Sequence, residues 1–104
     1  MGETNEKRPA VLVNHDDGFG GWVTGVVLVG NRMFDFEAKH FSDGSRFGID
    51  GGRISKLRIT LNFPSRPPFE VCAYDRGWVT EPSAYSDGCE AIPAAYNAIL
   101  EKFN

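Results

Sequence analysis

Two segments of this chain alternate between apolar and polar side chains. Along Arg32–Phe41, Phe34, Phe36 and Ala38 fall on one face of an extended backbone, while Asp35, Glu37 and Lys39 fall on the other. Along Arg53–Leu61, Leu57, Ile59 and Leu61 share a face opposite Lys56, Arg58 and Thr60. Successive strand side chains point to opposite faces, so each segment reads as a strand with one dry side and one wet side. The dry side needs a cover. Cys89, Ile92, Tyr96, Ile99, Leu100 and Phe103 recur at three- and four-residue spacing, which is the apolar stripe of an amphipathic helix.

The remaining segments fill in a meander. Pro9–Asn14 and the β-branched run Gly21–Val29 read as strands, the first followed by an Asn14–Gly18 turn. Gly30-Asn31 between two strand-like runs signals a hairpin. A brief extended piece, Arg46–Ile49, leads into Asp50-Gly51-Gly52, which predicts a second hairpin with positive φ at its centre. Pro64, Pro67 and Pro68 mark a loop, because proline cannot donate to a ladder. Phe69–Asp75 is a further strand, and Trp78-Val79-Thr80 is long enough to pair back only briefly. Asp87-Gly88-Cys89-Glu90 has capping-box spacing. Pro93 leaves two readings open: a kink within the helix, or a place in its first turn. The expected fold is α+β: an antiparallel meander of about five strands with one C-terminal helix on one face. Residues 1–8 read as a flexible tail and residues 9–104 as a single domain.

Eleven basic against fourteen acidic residues give a net charge of −3, too little and of the wrong sign for general attraction to nucleic acid or anionic membrane. No signal-peptide pattern opens the sequence, and no apolar run approaches the ~20 residues of a membrane span. These features point to the cytoplasm, where Cys72 and Cys89 stay reduced and behave as small packed hydrophobes. A bridge between them is the alternative that sequence leaves standing.

Several residue groups could carry chemistry. Backbone N–H groups near Gly51 and Gly52, flanked by Arg46, Arg53 and Lys56, suit an anion or a partner. However, no GxxxxGK[ST] or GxGxxG pattern occurs, and an ordinary turn explains the glycines equally well. Arg46, Arg53, Lys56, Arg58 and Arg66 form the densest basic region, with Phe47 and Phe63 close in sequence. Basic and aromatic residues interleaved on a sheet can hold single-stranded nucleic acid, although Asp35 and Glu37 could instead pair with these bases across strands. His15-Asp16-Asp17 lacks any metal-site spacing and reads as a turn, so no metal is expected. Cys72 as nucleophile with His40 as base would require the two to meet in space, and a packed mid-strand thiol is the plainer reading. Trp22 and Trp78 read as core or rim packing. In Tyr74-Asp75-Arg76-Gly77-Trp78, Gly77 is the residue suited to positive φ, and Arg76 is placed to stack on Trp78.

Gly21-Trp22-Val23-Thr24-Gly25, the run Phe47–Leu57, and Tyr74-Asp75-Arg76-Gly77-Trp78 together resemble an uncharacterised family of small proteins from Gram-positive bacteria and their mobile elements. The resemblance covers about Trp22 to Phe103, and the middle phrase is its most specific part. It implies a small cytoplasmic domain of unknown function and supplies no catalytic or binding residues. The segment Met1–Gly20 departs from the pattern. With no convergent acid, base and nucleophile and no cofactor loop, the sequence points to a non-enzymatic protein-interaction module that needs no cofactor. Its partner would be another protein or a second copy of the chain. Nucleic-acid binding through Arg53, Lys56 and Arg58 is the alternative.

Overall fold

Gly30 and Asn31 form a two-residue turn between strands whose registers close on Val29 opposite Arg32. Gly30 alone of the pair takes a positive φ, 61°, the sign pattern of a type II′ hairpin, whose twist matches that of the strands it joins. This hairpin belongs to a sheet built entirely by such nearest-neighbour returns. The structure, a computed structural model, describes residues 9–63, 65, 67–84 and 90–104. Its strands are β1 (Ala10–Asp16), β2 (Trp22–Val29), β3 (Arg32–His40), β4 (Ile54–Asn62), β5 (Phe69–Asp75) and β6 (Trp78–Thr80), followed by helix α1 (Ala91–Phe103). The strands lie in sequence order in one six-stranded sheet, each antiparallel to its neighbours.

The alternation settles which face is covered. Phe34, Phe36 and Ala38 on β3 and Leu57, Ile59 and Leu61 on β4 are all buried, beside Val23 and Val27 of β2. Helix α1 lies over them, chiefly against β2, and contributes Ile92, Ala95, Ile99 and Phe103. The rings of Phe103 and Phe36 sit 6.0 Å apart at this seam. Tyr96 and Leu100 flank the stripe, half-buried. The opposite face of the sheet has no covering element among the described residues.

The structure corrects the expected fold in four places. The strands number six rather than about five, because Trp78–Thr80 does pair with β5. Arg46–Ile49 is not a strand, and Asp50-Gly51-Gly52 does not close a hairpin. β3 and β4 pair directly, with His40 opposite Ile54, and the intervening chain coils outside the ladder around a 3₁₀ turn at Ile49–Gly51. The positive φ expected there is present at Asp50 (53°) and Gly51 (75°), but the flanking backbone folds on itself instead of pairing. β1 runs on through Asn14 to Asp16, passing a bulge between Val13 and His15.

Of the two readings for Pro93, the first-turn position holds. The helix starts at Ala91, so Pro93 stands where no N–H partner is required. Glu90 is the N-cap and makes no side-chain cap bond. The other capping-box residues, Asp87 to Cys89, and the expected tail at residues 1–8 lie outside the described residues. No helix among the described residues is long and apolar enough to cross a membrane.

Phe34 is fully buried and Asp35 beside it is exposed. Phe34→Ala should therefore lower the unfolding free energy by about 3–5 kcal/mol in a denaturant titration. Asp35→Ala should change it by less than about 1 kcal/mol.

Candidate functional site

The glycine-rich connection between β3 and β4 is shaped by close backbone contacts. A β-carbon on Gly48 would collide with the Gly52 carbonyl, and one on Gly52 would collide with the side-chain amide of Asn104. The loop is closed by Phe41 N donating to the Arg53 carbonyl (3.0 Å) and Ser45 N to the Gly52 carbonyl (3.1 Å). Ile49 anchors it in the core, fully buried. Asn104, the C-cap of α1, then bridges loop and strand: Ile54 N donates to its Oδ1 (2.8 Å) and its Nδ2 donates to the Ile49 carbonyl (3.1 Å). Gly52 thus serves the approach of Asn104, and Gly51 supplies a left-handed turn on the exposed side. Asn104 escaped the sequence reading because its partners lie fifty and fifty-five residues away.

The basic candidates divide between different surroundings. Lys56 and Arg58 project from the uncovered sheet face. Arg58 Nε lies 3.1 Å from Glu70 Oε1, and its Nη1 lies 3.9 Å from Glu37, the residue opposite it on β3. Lys56 Nζ lies 3.8 Å from Asp75, its partner on β5. Cross-strand pairing of these charges, one of the two sequence readings, is what the register produces. Exposed pairs of this kind contribute only about 0–1 kcal/mol each, so they order the face more than they stabilise it. Arg53 is half-buried beside the glycine loop, and Arg66 lies outside the described residues.

Arg46 lies away from that ladder, with its guanidinium carbon 5.0 Å from the centre of the Phe47 ring. Arg76 meets the same ring at 5.6 Å, and not Trp78 as the sequence suggested. The left-handed residue of this turn is Arg76 itself (φ 58°), where Gly77 was expected. Its N–H donates to the Ser55 carbonyl (2.8 Å), while Asp75 N donates to the Gly77 carbonyl (2.9 Å), which fixes the turn against β4. Trp78 instead packs edge-on to Tyr74 at 4.9 Å and near Tyr96 of α1 at 5.8 Å. The Tyr74 hydroxyl donates to the Phe47 carbonyl (2.9 Å) and ties the loop to β5.

The remaining candidates are separated or occupied. His15 Nε2 and Asp17 Oδ1 are 2.7 Å apart, and Asp16 accepts from Gly18 N (2.8 Å), so this segment bonds within its own turn. Among the described residues no group of three or more His, Cys, Asp or Glu side chains is placed to hold a metal. Cys72 is a buried free thiol, and Cys89 lies outside the described residues. His40 is buried between the rings of Phe19 (5.3 Å) and Phe103 (5.2 Å), and neither ring nitrogen has a hydrogen-bond partner among the described residues. His40 is opposite Ile54 and Cys72 opposite Ile59, five residues further along β4. That separation is about 17 Å of strand, so the two cannot act as nucleophile and base.

Fold and surface together define a small α+β domain: a half-covered antiparallel sheet with a charge-paired open face and a glycine-built loop. Residues 21–104 match the family described as Domain of unknown function (DUF7678), and the chain belongs to that family. No curated protein and no solved structure matches the chain.

Removing the Asn104 amide would leave Ile54 N and the Ile49 carbonyl without partners. Asn104→Ala should therefore lower stability by about 2–4 kcal/mol, read as a drop in thermal midpoint.

Burial, with Glu70 adding to it, pushes the Cys72 thiol up to about 12. Burial first, then Asp50 and further neighbours, pushes the Tyr96 phenol up to about 12. The native state keeps both protons at pH values where the unfolded chain, with ordinary values of 9.0 and 10.0, has begun to lose them. The contribution of these two groups to stability is therefore full below pH 9 and is lost as pH rises towards 12. Alkaline denaturant titrations should show that slope, and iodoacetamide should label Cys72 only as fast as the protein opens.

Proposed function

We propose that this protein is a non-enzymatic interaction module that associates with a second copy of itself along β1. The observation that carries this reading is the state of that edge. β1 is an outer strand of the sheet, and six of its seven residues are exposed. Ala10–Val13 is uncharged and apolar, and no lysine or proline interrupts the strand. Such residues commonly guard an edge against pairing. The opposite edge, β6, is only three residues long, which is itself a guarding device. On the uncovered face, Leu12 (52% exposed) stands opposite Val26, and Leu28 opposite Met33 (45% exposed). An antiparallel β1–β1 pairing about a two-fold axis would continue the ladder and join this apolar row to its copy.

We read the protein as cytoplasmic and as belonging to bacteria and their mobile elements. The sequence resemblance supports that origin, and the buried free thiol of Cys72 suits a reducing compartment. Nucleic-acid binding through Arg53, Lys56 and Arg58 has less support, because Arg58 is held between two carboxylates.

Light scattering across a concentration series tests the reading. The expected mass is twice that of the chain, and Leu12→Lys should return it to that of one chain that still unfolds cooperatively, at a midpoint that no longer rises with protein concentration. A single-chain mass for the unmodified protein throughout the series would refute self-association.

A further inference from the structure

We propose that the concavity bounded by the ends of β3 and β4, the glycine loop and the β5–β6 turn binds a phosphorylated nucleoside, either as a free nucleotide or as a unit of single-stranded nucleic acid. This site stands apart from β1 and does not depend on self-association. It measures about 410 Å³, within the usual range for small-ligand sites.

Three cations line it: Lys39, Lys56 and Arg76. Lys39 and Lys56 stand directly opposite each other in the β3–β4 register. Like charges in that position destabilise a sheet, and the rest of the open face avoids the arrangement. Glu37 faces Arg58, and Lys56 faces Asp75 on its other side. Lys39 has Trp22 as its other cross-strand neighbour, so the register brings it no carboxylate from either strand. Among the described residues no carboxylate lines the concavity; Asp75, 3.8 Å from Lys56 Nζ, pairs with that lysine from outside the lining and leaves Lys39 as the lysine of the pair without a carboxylate. A bound phosphate would supply the missing negative charge.

Arg76 is the second anomaly. Its left-handed backbone is sparsely populated by residues with side chains, and such conformations concentrate at functional sites. Its guanidinium carbon lies 5.6 Å from the centre of the Phe47 ring, and both residues line the concavity. Phe41 and Phe47, 41% and 42% exposed, add two rings to the lining, beside Ser45 and Ser55. Phe47 is fixed at both ends of its peptide: its N–H donates to Ser45 Oγ (3.1 Å) and its carbonyl accepts from Tyr74 (2.9 Å). Preordered rings and a guanidinium plane offer stacking surfaces for a base, and the ammonium groups offer charge for its phosphate. The Ser45 and Ser55 hydroxyls are already engaged with the Phe47 amide and the Lys39 carbonyl, so stacking carries the recognition and the site tolerates any base.

The test uses the full chain at low salt. Titration calorimetry with nucleoside monophosphates and anisotropy with a fluorescein-labelled oligothymidylate are run beside inorganic phosphate alone. Saturable binding of either nucleotide probe, at least about tenfold tighter than phosphate, is expected. Tighter binding of the strand with a steep salt dependence assigns nucleic acid, and equal affinity assigns the free nucleotide. Lys39→Glu and Arg76→Gly should each weaken binding about tenfold or more. Both should keep or raise the thermal midpoint, since one removes a repulsion and the other a strained backbone. Arg32→Glu, at the far end of β3, makes the same charge change as Lys39→Glu and should leave binding within about twofold. No saturable nucleotide binding, phosphate binding as tightly as nucleotides, or undiminished binding by both variants would overturn the proposal. A collapsed midpoint in both variants would overturn it too, because it would assign the two residues to folding.

Discussion

Every other feature of this protein depends on the contact between one apolar sheet face and one apolar helix stripe. A meander of hairpins makes a sheet that is dry on a single side, and the described chain provides a single helix to cover it. Ile92, Ala95, Ile99 and Phe103 meet the row from Val23 and Val27 through Phe36 to Leu57 and Ile59. Burying an apolar side chain of this size is worth about 1.5–3 kcal/mol, far more than any exposed ion pair on the other face. That face is therefore free to vary its charges, and it shows an ordered ladder in one place and an opposed pair of lysines in another.

Much of this architecture was legible in the sequence. Alternation over β3 and β4 identified Phe34, Phe36, Ala38, Leu57, Ile59 and Leu61 as buried but not His40, Ile54 or Ser55, and the helical spacing identified Ile92, Ile99 and Phe103 as their cover but not Ala95. The charges on the open face were also visible, and Glu37 was among the partners named for them, but which base each carboxylate meets was not. A strand pattern gives facing and leaves register open, and register alone sets Lys39 opposite Lys56 and Arg58 opposite Glu37. Asp50-Gly51-Gly52 was rightly read for its left-handed backbone and wrongly read for its topology. Tight approaches at Gly48 and Gly52, which decide the loop's path, exist only once the chain is folded. Arg76 hid behind Gly77 because glycine is the expected bearer of positive φ.

The family match begins at residue 21, so the matched span holds β2 to β6 and α1 with almost all of the core, and β1 lies before it. The two surfaces proposed here sit on opposite sides of that boundary. The apolar edge is formed by the strand outside the match. The cationic and aromatic concavity is formed wholly from residues inside it. A binding property held in common by the family would be sought in the second surface, and a property particular to this chain in the first.

Asn104 gives the molecule a mechanical linkage. It caps α1 while gripping the Ile49 carbonyl and the Ile54 amide, on either side of residues 50–53, which lead from the glycine loop into β4. Fraying of the last helical turn must release that grip, and displacement of the loop must strain the helix cap. The two regions are thus one cooperative unit although they are distant in sequence, and anything that holds Phe47 still also tightens the end of α1.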